Sequence, residues 1–522
     1  MTSIIRAEGA HSARALPYCC IAVQNPQTRI HRFQRMRAPP SNDPGSADRR
    51  RATTAPAASA GSTDGTTDVP NARPGRPATS GASYTEGSVE AHVRRLTGFM
   101  IIGFLAMTLA QFIEAIYLGQ VGTAELAAVA YTFPLTLGLN AMVRGVGIGA
   151  SAVVARTLGS GDAQAAGRLI SHCLLLVAGF AALFVLIALS WSANLFEAMG
   201  ASGRVQSLAT QYTHIWFVGF PMFALSMVGS GLIRSVGDAA YPGYVMTLGS
   251  LLQVVLGPFL IFGWLGLPAL GIAGAGWAFV LARSISFAMT WHWLARRKQL
   301  LIFDLTGFRA SSRAILHVGL PSILTNLVPS ISTGIVTAML ASYGHGVVAG
   351  FGVASRVEAL VSMVVIAVSA STGPMVGQNW GARRIERVHA TLRICYQYCL
   401  AWGVIAGVIM LVGGHFLVGL INTDPELIVT AAAYLHIVPF SIGFMGVMAV
   451  ASASFNALAK PLPPLLLSLA RTLVLYVPLA WIAGRWFGYL GIFWATAIAN
   501  VLTGAVAWQW NRSMLAHAER GV

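Results

Sequence analysis

The sequence predicts an all-α polytopic membrane protein: twelve transmembrane helices in two six-helix bundles related by a parallel repeat. Three observations carry this. Of the 522 residues, 55% are hydrophobic and only 10% charged, where a soluble domain averages about 25% charged. Apolar runs of about 20 residues, enough to cross a bilayer core as helices, recur along the chain. And the second half echoes the first at a fixed offset.

The predicted spans are 96–119, 124–155, 165–190, 206–233, 241–263, 270–295, 314–341, 346–377, 388–413, 428–457, 462–483 and 488–510. Twelve crossings place both termini on one side, and loop charge says which. One set of loops contains Arg94, Arg95, Arg156, Arg168, Arg234, Arg296, Arg297, Lys298, Arg309, Arg313, Arg383, Arg384, Arg387, Lys460, Arg512 and Arg520; the alternate set contains only Arg204 and Arg485. Both termini are expected in the cytoplasm, with the protein in the cell (inner) membrane. The expected domains are a disordered basic tail over 1–92, a first lobe over 93–295, a cytoplasmic linker over 296–313, a second lobe over 314–512 and a tail over 513–522. The first 90 residues are rich in Pro, Ser, Ala, Gly, Thr and Arg and lack apolar periodicity.

At an offset of 222 residues, Gly122/Gly344, Gly159/Gly381, Cys173/Cys395, Tyr212/Tyr434, His214/His436, Ser230/Ser452 and Pro242/Pro464 coincide. Six spans per half give both halves the same orientation, a repeat about an axis along the membrane normal. Two bundles of this kind frame an alternating-access cavity.

The net charge of +16 does not indicate nucleic-acid binding, because most of the excess beyond residue 90 falls in short loops between spans. The five cysteines, Cys19, Cys20, Cys173, Cys395 and Cys399, show no metal or disulfide spacing. There is no Walker A loop, no HExxH and no dinucleotide-binding glycine pattern, so no cofactor and no enzyme activity are expected. Work would have to come from an ion gradient.

Acids inside spans are scarce: Glu114 and Glu358. At offset 222 they meet Val336 and Thr136, so they are not repeat mates. Burying a carboxylate in hydrocarbon costs a few kcal/mol or more. Glu114 has Gln111 at i−3 and Tyr117 at i+3 on one helix face, which suits a group that loads and releases protons; the competing reading is a carboxylate at the outer interface. Glu358 follows Arg356 at i+2, so the two do not share a face, and its reading is split between function and a charge satisfied by a neighbouring helix. Gln253, Asn140, Asn326 and Tyr131 are candidate cavity residues. Arg144, Arg283 and Arg471 read as structural, near helix ends. His214 and His436, equivalent in the repeat, suggest packing or capping.

EAIYLGQVGTAELAAV (114–129), GIGASAVVARTLGSGD (147–162), LQVVLGPFLIFGWLGLPALGIAGAGWA (252–278), PMVGQNWGARR (374–384) and RTLVLYVPLAWIAG (471–484), in that order, resemble multidrug and toxic compound extrusion (MATE) transporters over about 95–512. The resemblance implies a MOP-superfamily exporter of amphipathic, often cationic molecules, working in exchange for H⁺ or Na⁺. The family's first-span Asp falls on Glu114. Its fifth-span Asn and Asp fall on Gln253 and Gly257, its seventh-span acid near Pro329 and its tenth-span Asp near Met445. With only the first acid kept, the pattern is similar to the DinF-like branch. One carboxylate is a poor Na⁺ cage but a sufficient proton carrier, so H⁺ is the expected coupling ion and Na⁺ the alternative. The partners expected are a small amphipathic substrate and the bilayer, with no nucleic acid, acting as a monomer. The rival functions are a flippase for lipid-linked precursors and a membrane-embedded glycan transferase.

Overall fold

The computed structural model describes residues 83–297, 300–302, 304–419 and 424–520, which contain helices and turns and no strand. The expectation of disorder for the N-terminal tail falls, up to residue 82, outside the described residues. The helices are α1 (Val89–Val121), α2 (Thr123–Gly159), α3 (Ala163–Ala198), α4 (Gly203–Val236), α5 (Ala240–Ile261), α6 (Ile272–His292), α7 (Phe308–Leu340), α8 (His345–Gly381), α9 (Ile385–Gly419), α10 (Pro425–Ile437), α11 (Ile442–Ala457), α12 (Leu462–Leu469) and α13 (Val477–Arg520).

Among the described residues, eleven helical stretches are long and apolar enough to cross a membrane. The last, Leu462–Glu519, is two crossings. At Gly488 the backbone turns to φ 61°, ψ −152°, a conformation open to glycine and strained for residues with a Cβ. Just beyond the turn, a side chain at Gly491 would collide with the carbonyl of Ala483, so the chain doubles back there. The tenth crossing is broken once, where Pro439 opens a 3₁₀ turn (Pro439–Ser441) between α10 and α11, because proline cannot donate to the ladder.

Several helices run beyond the sequence expectation. α1 begins at Val89, capped by the Ser88 side chain accepting from the Ala91 amide. α7 begins at Phe308, inside the predicted 296–313 linker, and α13 runs to Arg520, through most of the predicted 513–522 tail. Apolar content marks only the length that must meet lipid, while the helix continues into the headgroup region, where basic side chains are solvated.

Helices α2 to α6 with the ends of α1 and α7 share one apolar core, centred on Trp216, Phe217 and Phe220. The second half has two cores, one around Phe455 and one around Phe493. The halves meet where α2 packs on α7 and α8, and α1 on α8. At one end this junction is tight and two-fold in character. A Cβ on Gly159 would lie 2.8 Å from the carbonyl carbon of Gln378; a Cβ on Gly381 would lie 3.0 Å from that of Arg156. Gly159 and Gly381 are repeat mates, and so are Arg156 and Gln378, so the contact is the same surface used twice. Arg156 also donates to the Ala457 carbonyl at 2.6 Å. The segment before α1 straps the same end: the Tyr84 amide donates to Gln378 Oε1 at 2.9 Å. Arg384 donates to the Thr85 carbonyl at 2.6 Å, and Arg387 to those of Tyr84 at 3.0 Å and Gly87 at 2.9 Å.

Candidate functional site

Glu114 lies seven residues before the end of α1 and turns into its own half of the protein. Tyr212 of α4 donates its hydroxyl to Glu114 Oε1 at 3.2 Å. Gln253 of α5 donates Nε2 to Oε2 at 2.7 Å. Gln253 is itself held from behind, since Arg283 of α6 donates to its Oε1 at 2.8 Å. The Arg283 guanidinium lies 5.3 Å from the Phe279 ring centroid and 5.7 Å from that of Phe223. Four helices thus supply one chain of polar groups in an apolar bundle.

The donor inventory gives this chain a direction. Arg283 can only donate, so Gln253 must present its oxygen to Arg283 and its NH₂ to Glu114. Tyr212 can donate or accept. The same geometry serves both protonation states: ionised, Glu114 accepts from Tyr212 and from Gln253. When Glu114 takes a proton, the Tyr212 hydroxyl can rotate and accept, while Gln253 stays pinned. Beside the carboxylate, Ala110, Tyr117, Val254, Gly257 and Ala278 enclose a small cavity in which a water-sized centre can range over about 10 Å³. That is room for about one water, enough to pass a proton and too little for an organic substrate.

Of the expected coupling residues, the structure joins Glu114 and Tyr117 at this cavity and adds Gln253 as a direct partner. Tyr117 does not touch the carboxylate through its hydroxyl, which reaches the Val254 carbonyl at 3.5 Å. Gln111 is exposed and has no hydrogen bond among the described residues. Tyr117 explains the absent fifth-span acid: a Cβ at Gly257 would lie 3.0 Å from its ring, so the space an Asp would need is filled.

Glu358 points into the second half. Tyr434 of α10 donates to its Oε2 at 2.6 Å, and the charge of Arg471 acts on it. Arg471 sits in a π-helical turn (Ala470–Tyr476) and donates Nε to Asn500 Oδ1 at 2.8 Å; Asn500 donates on to Ser441. Tyr212 and Tyr434 are repeat mates, so each half uses the same tyrosine position to hold a carboxylate that arrives from a different helix. The carboxylates lacked the repeat; their tyrosines have it.

The remaining candidates separate. Asn140 and Asn326 each bond back to their own helix, at Thr136 and Ser322, and Tyr131 packs against the first core. Arg356 and Arg144 are exposed and unpaired among the described residues. Arg283 and Arg471, expected as helix-end residues, instead belong to the two carboxylate clusters. Sequence reasoning passed over Tyr212 and Tyr434 as partners; the available signal was their coincidence at offset 222. His214 fits its structural expectation, bonded to Ser192. A further cavity, of about 80 Å³ on the same measure, lies between α2, α3, α4 and α7 and is lined by apolar side chains such as Phe180, Phe184 and Leu320.

This fold, with a polar carboxylate cluster closed inside a six-helix bundle, is that of a membrane transporter. The sequence model of the MatE family matches residues 100–259 and 321–482, and the chain belongs to that family. It is similar to an FAD transporter of Shewanella oneidensis, at 31% identity over 77% of this chain and 90% of that protein. It is also similar to the probable multidrug resistance protein YoeA of Bacillus subtilis, at 24% identity over 76% and 89%. Among solved structures, the Vibrio cholerae MATE transporter VcmN in its bent form aligns with a TM-score of 0.79 and 26% identity, covering 82% of this chain and 97% of that one. A MOP superfamily transporter from Pyrococcus furiosus, described by the reversed polarity of its binding pocket, aligns equally well: TM-score 0.79, 26% identity, 84% and 99% coverage.

Proposed function

We propose that the protein is a secondary antiporter that exports amphipathic organic molecules in exchange for protons, with Glu114 as the proton-carrying group. The observation that carries this is the closed Glu114–Tyr212–Gln253–Arg283 chain beside a one-water cavity. A single carboxylate with one reversible hydroxyl partner suits a proton, and it offers too few free oxygens for a hard cation, which takes six or more. Its likeness to a probable multidrug resistance protein and to an FAD transporter supports export of organic solutes with aromatic or apolar bodies.

The basic loop set supports a cytoplasmic location for both termini in the cell membrane, with the protein acting as a monomer. The tight α2–α8 end is then cytoplasmic, and the conformation described is outward-facing. In this cycle the proton and the substrate each favour a different conformation, and each shifts the equilibrium only by its differential affinity. A pH difference of one unit supplies about 1.4 kcal/mol per proton.

The test is transport in proteoliposomes with independently set pH and Na⁺ gradients. Exchange of an amphipathic dye should follow the pH gradient and ignore Na⁺. Glu114→Gln should insert normally and lose gradient-driven exchange. Undiminished exchange by that variant, or exchange driven by Na⁺ alone, refutes the assignment.

A further inference from the structure

Two guanidiniums stand more than ten residues from either end of a membrane-spanning helix with no acid paired to them among the described residues. Arg144 lies in α2 and Arg356 in α8. Both are exposed, and neither forms an ion pair or hydrogen bond among the described residues. Holding such a charge at membrane depth is costly unless it has a partner or lines a water-filled cavity.

Their position on the helices shows which cavity. From Arg144 to Ala155 is eleven residues, about three whole turns at ~3.6 residues each, so the two share a face. Ala155 is buried, and a Cβ at Gly377 of α8 would lie 2.7 Å from it. From Arg356 to Gly381 is 25 residues, about seven whole turns, and Gly381 abuts the Arg156 carbonyl of α2. Each arginine therefore sits on the face through which α2 and α8 touch at the closed end. Higher up, exposed positions recur on the same two faces, Phe133 and Arg144 on α2 and Arg356, Ala359 and Ile366 on α8, and we infer that these faces wall a gap between the halves. The two acids do not share it. Glu114 is turned into the first half, and Glu358, two residues on from Arg356, lies on the other side of α8 against Tyr434.

At ~1.5 Å per residue, Arg144 stands roughly 22 Å above the α2–α8 contact and Arg356 roughly 37 Å. By the same count Ile366 of α8 is level with Arg144 and Phe133 of α2 is level with Arg356, and both are exposed. Each wall thus sets one cation against one apolar group, the two cations being staggered by about 15 Å along the cleft.

We propose that this cleft recognises anionic amphiphiles, organic phosphates with an apolar or aromatic body, through Arg144 and Arg356. Guanidinium binds phosphate bidentately and stacks on flat rings, and the apolar group opposite each arginine accommodates the body of the ligand. The inference rests on the transporter reading above and names its substrate class; it departs from the cationic substrates that the family resemblance implied. The anionic head can belong to a free solute or to a lipid.

The test compares three dyes and one lipid in proteoliposomes, with proton flux recorded at the same time. Riboflavin 5′-phosphate and riboflavin share a ring system and differ by the phosphate; ethidium carries the opposite charge. The wild type should move the phosphate at least about tenfold faster than riboflavin, a difference of about 1.4 kcal/mol. Arg144→Gln and Arg356→Gln should abolish that preference, and Arg144→Lys should retain part of it. Riboflavin 5′-phosphate should also raise the melting temperature of the detergent-solubilised wild type and fail to do so for Arg144→Gln, a readout independent of transport. Arginine-dependent movement of a short-chain fluorescent phosphatidate instead of the dye supports the same anion recognition and assigns it to lipid. Equal rates for riboflavin and its phosphate with no movement of the lipid, or full phosphate transport by both Gln variants, overturns the proposal. Ethidium exchange with protons but no anion transport refutes this inference and leaves the antiport reading standing. Anion transport without proton flux does the reverse.

Discussion

The contact between Gly159 and Gly381 lends itself to a quantitative perturbation. A methyl group at Gly159 would sit 2.8 Å from the Gln378 carbonyl carbon and 2.9 Å from its Cα; one at Gly381 would sit 3.0 Å and 3.1 Å from the same atoms of Arg156. Carbon atoms pack at about 3.5–4.0 Å, and the facing carbonyl oxygen lies nearer still at both sites, so either Gly→Ala change forces the ends of α2 and α8 apart by about one ångström. Overpacking of this size costs about 1–3 kcal/mol, and the cost falls only on the conformation in which this end is closed. An equilibrium between closed and open ends should therefore shift about 5–150-fold toward open. Because the two glycines are repeat mates on one contact, separation at the first relieves the second, and the double variant should cost less than the sum of the two. Spin labels at Ser160 and Arg383, both exposed at this end, report the separation by pulsed electron resonance, with Cys19 and Cys20 replaced by Ser. Gly159→Ala and Gly381→Ala should each populate a longer distance, and exchange should slow as the closed state becomes rarer. Unchanged distance distributions with wild-type exchange would show that the junction does not gate the cleft.

Four further outcomes follow from the carboxylate clusters and the strap. Tyr212→Phe removes the reversible partner of Glu114, whose bond to a charged acceptor is worth about 1.5–3 kcal/mol; proton-driven exchange should fall about tenfold or more with expression unchanged. Glu358→Gln keeps the Tyr434 contact in neutral form and should retain coupled exchange if Glu114 carries the proton alone; loss of proton flux in that variant assigns a share to the second half. Gln253→Leu leaves Glu114 and Arg283 with their shared partner gone, at a cost of about 1–3 kcal/mol for each unsatisfied group, and should lower the melting temperature in detergent. Arg387→Ala removes bonds to three strap carbonyls, and should speed protease cleavage within 83–88 without altering the core.

Read alone, the sequence carries the architecture, because lipid imposes it. Each crossing must be a helix long enough to span the hydrocarbon and satisfy its own backbone, so span number, loop charge and the 222-residue repeat are written in composition and spacing. Glu114 was legible for the same reason: a carboxylate in an apolar run is expensive and rare. Its partners were not. Tyr212, Gln253 and Arg283 lie 98, 139 and 169 residues away, on three other helices, and no local pattern distinguishes them from core residues or helix-end cations. Gln111 and Tyr117 share a helix face with Glu114, and spacing along one helix chose them; packing between helices left Gln111 exposed and gave Tyr117 the space over Gly257. The same limit applied to Arg356 and Glu358. The sequence placed them on different faces of one helix; only the neighbours of α8 decided that Arg356 is left exposed and Glu358 meets Tyr434. Which helix faces meet depends on how the twelve spans pack against one another, and that is settled by contacts hundreds of residues apart, such as Gly159 against Gln378.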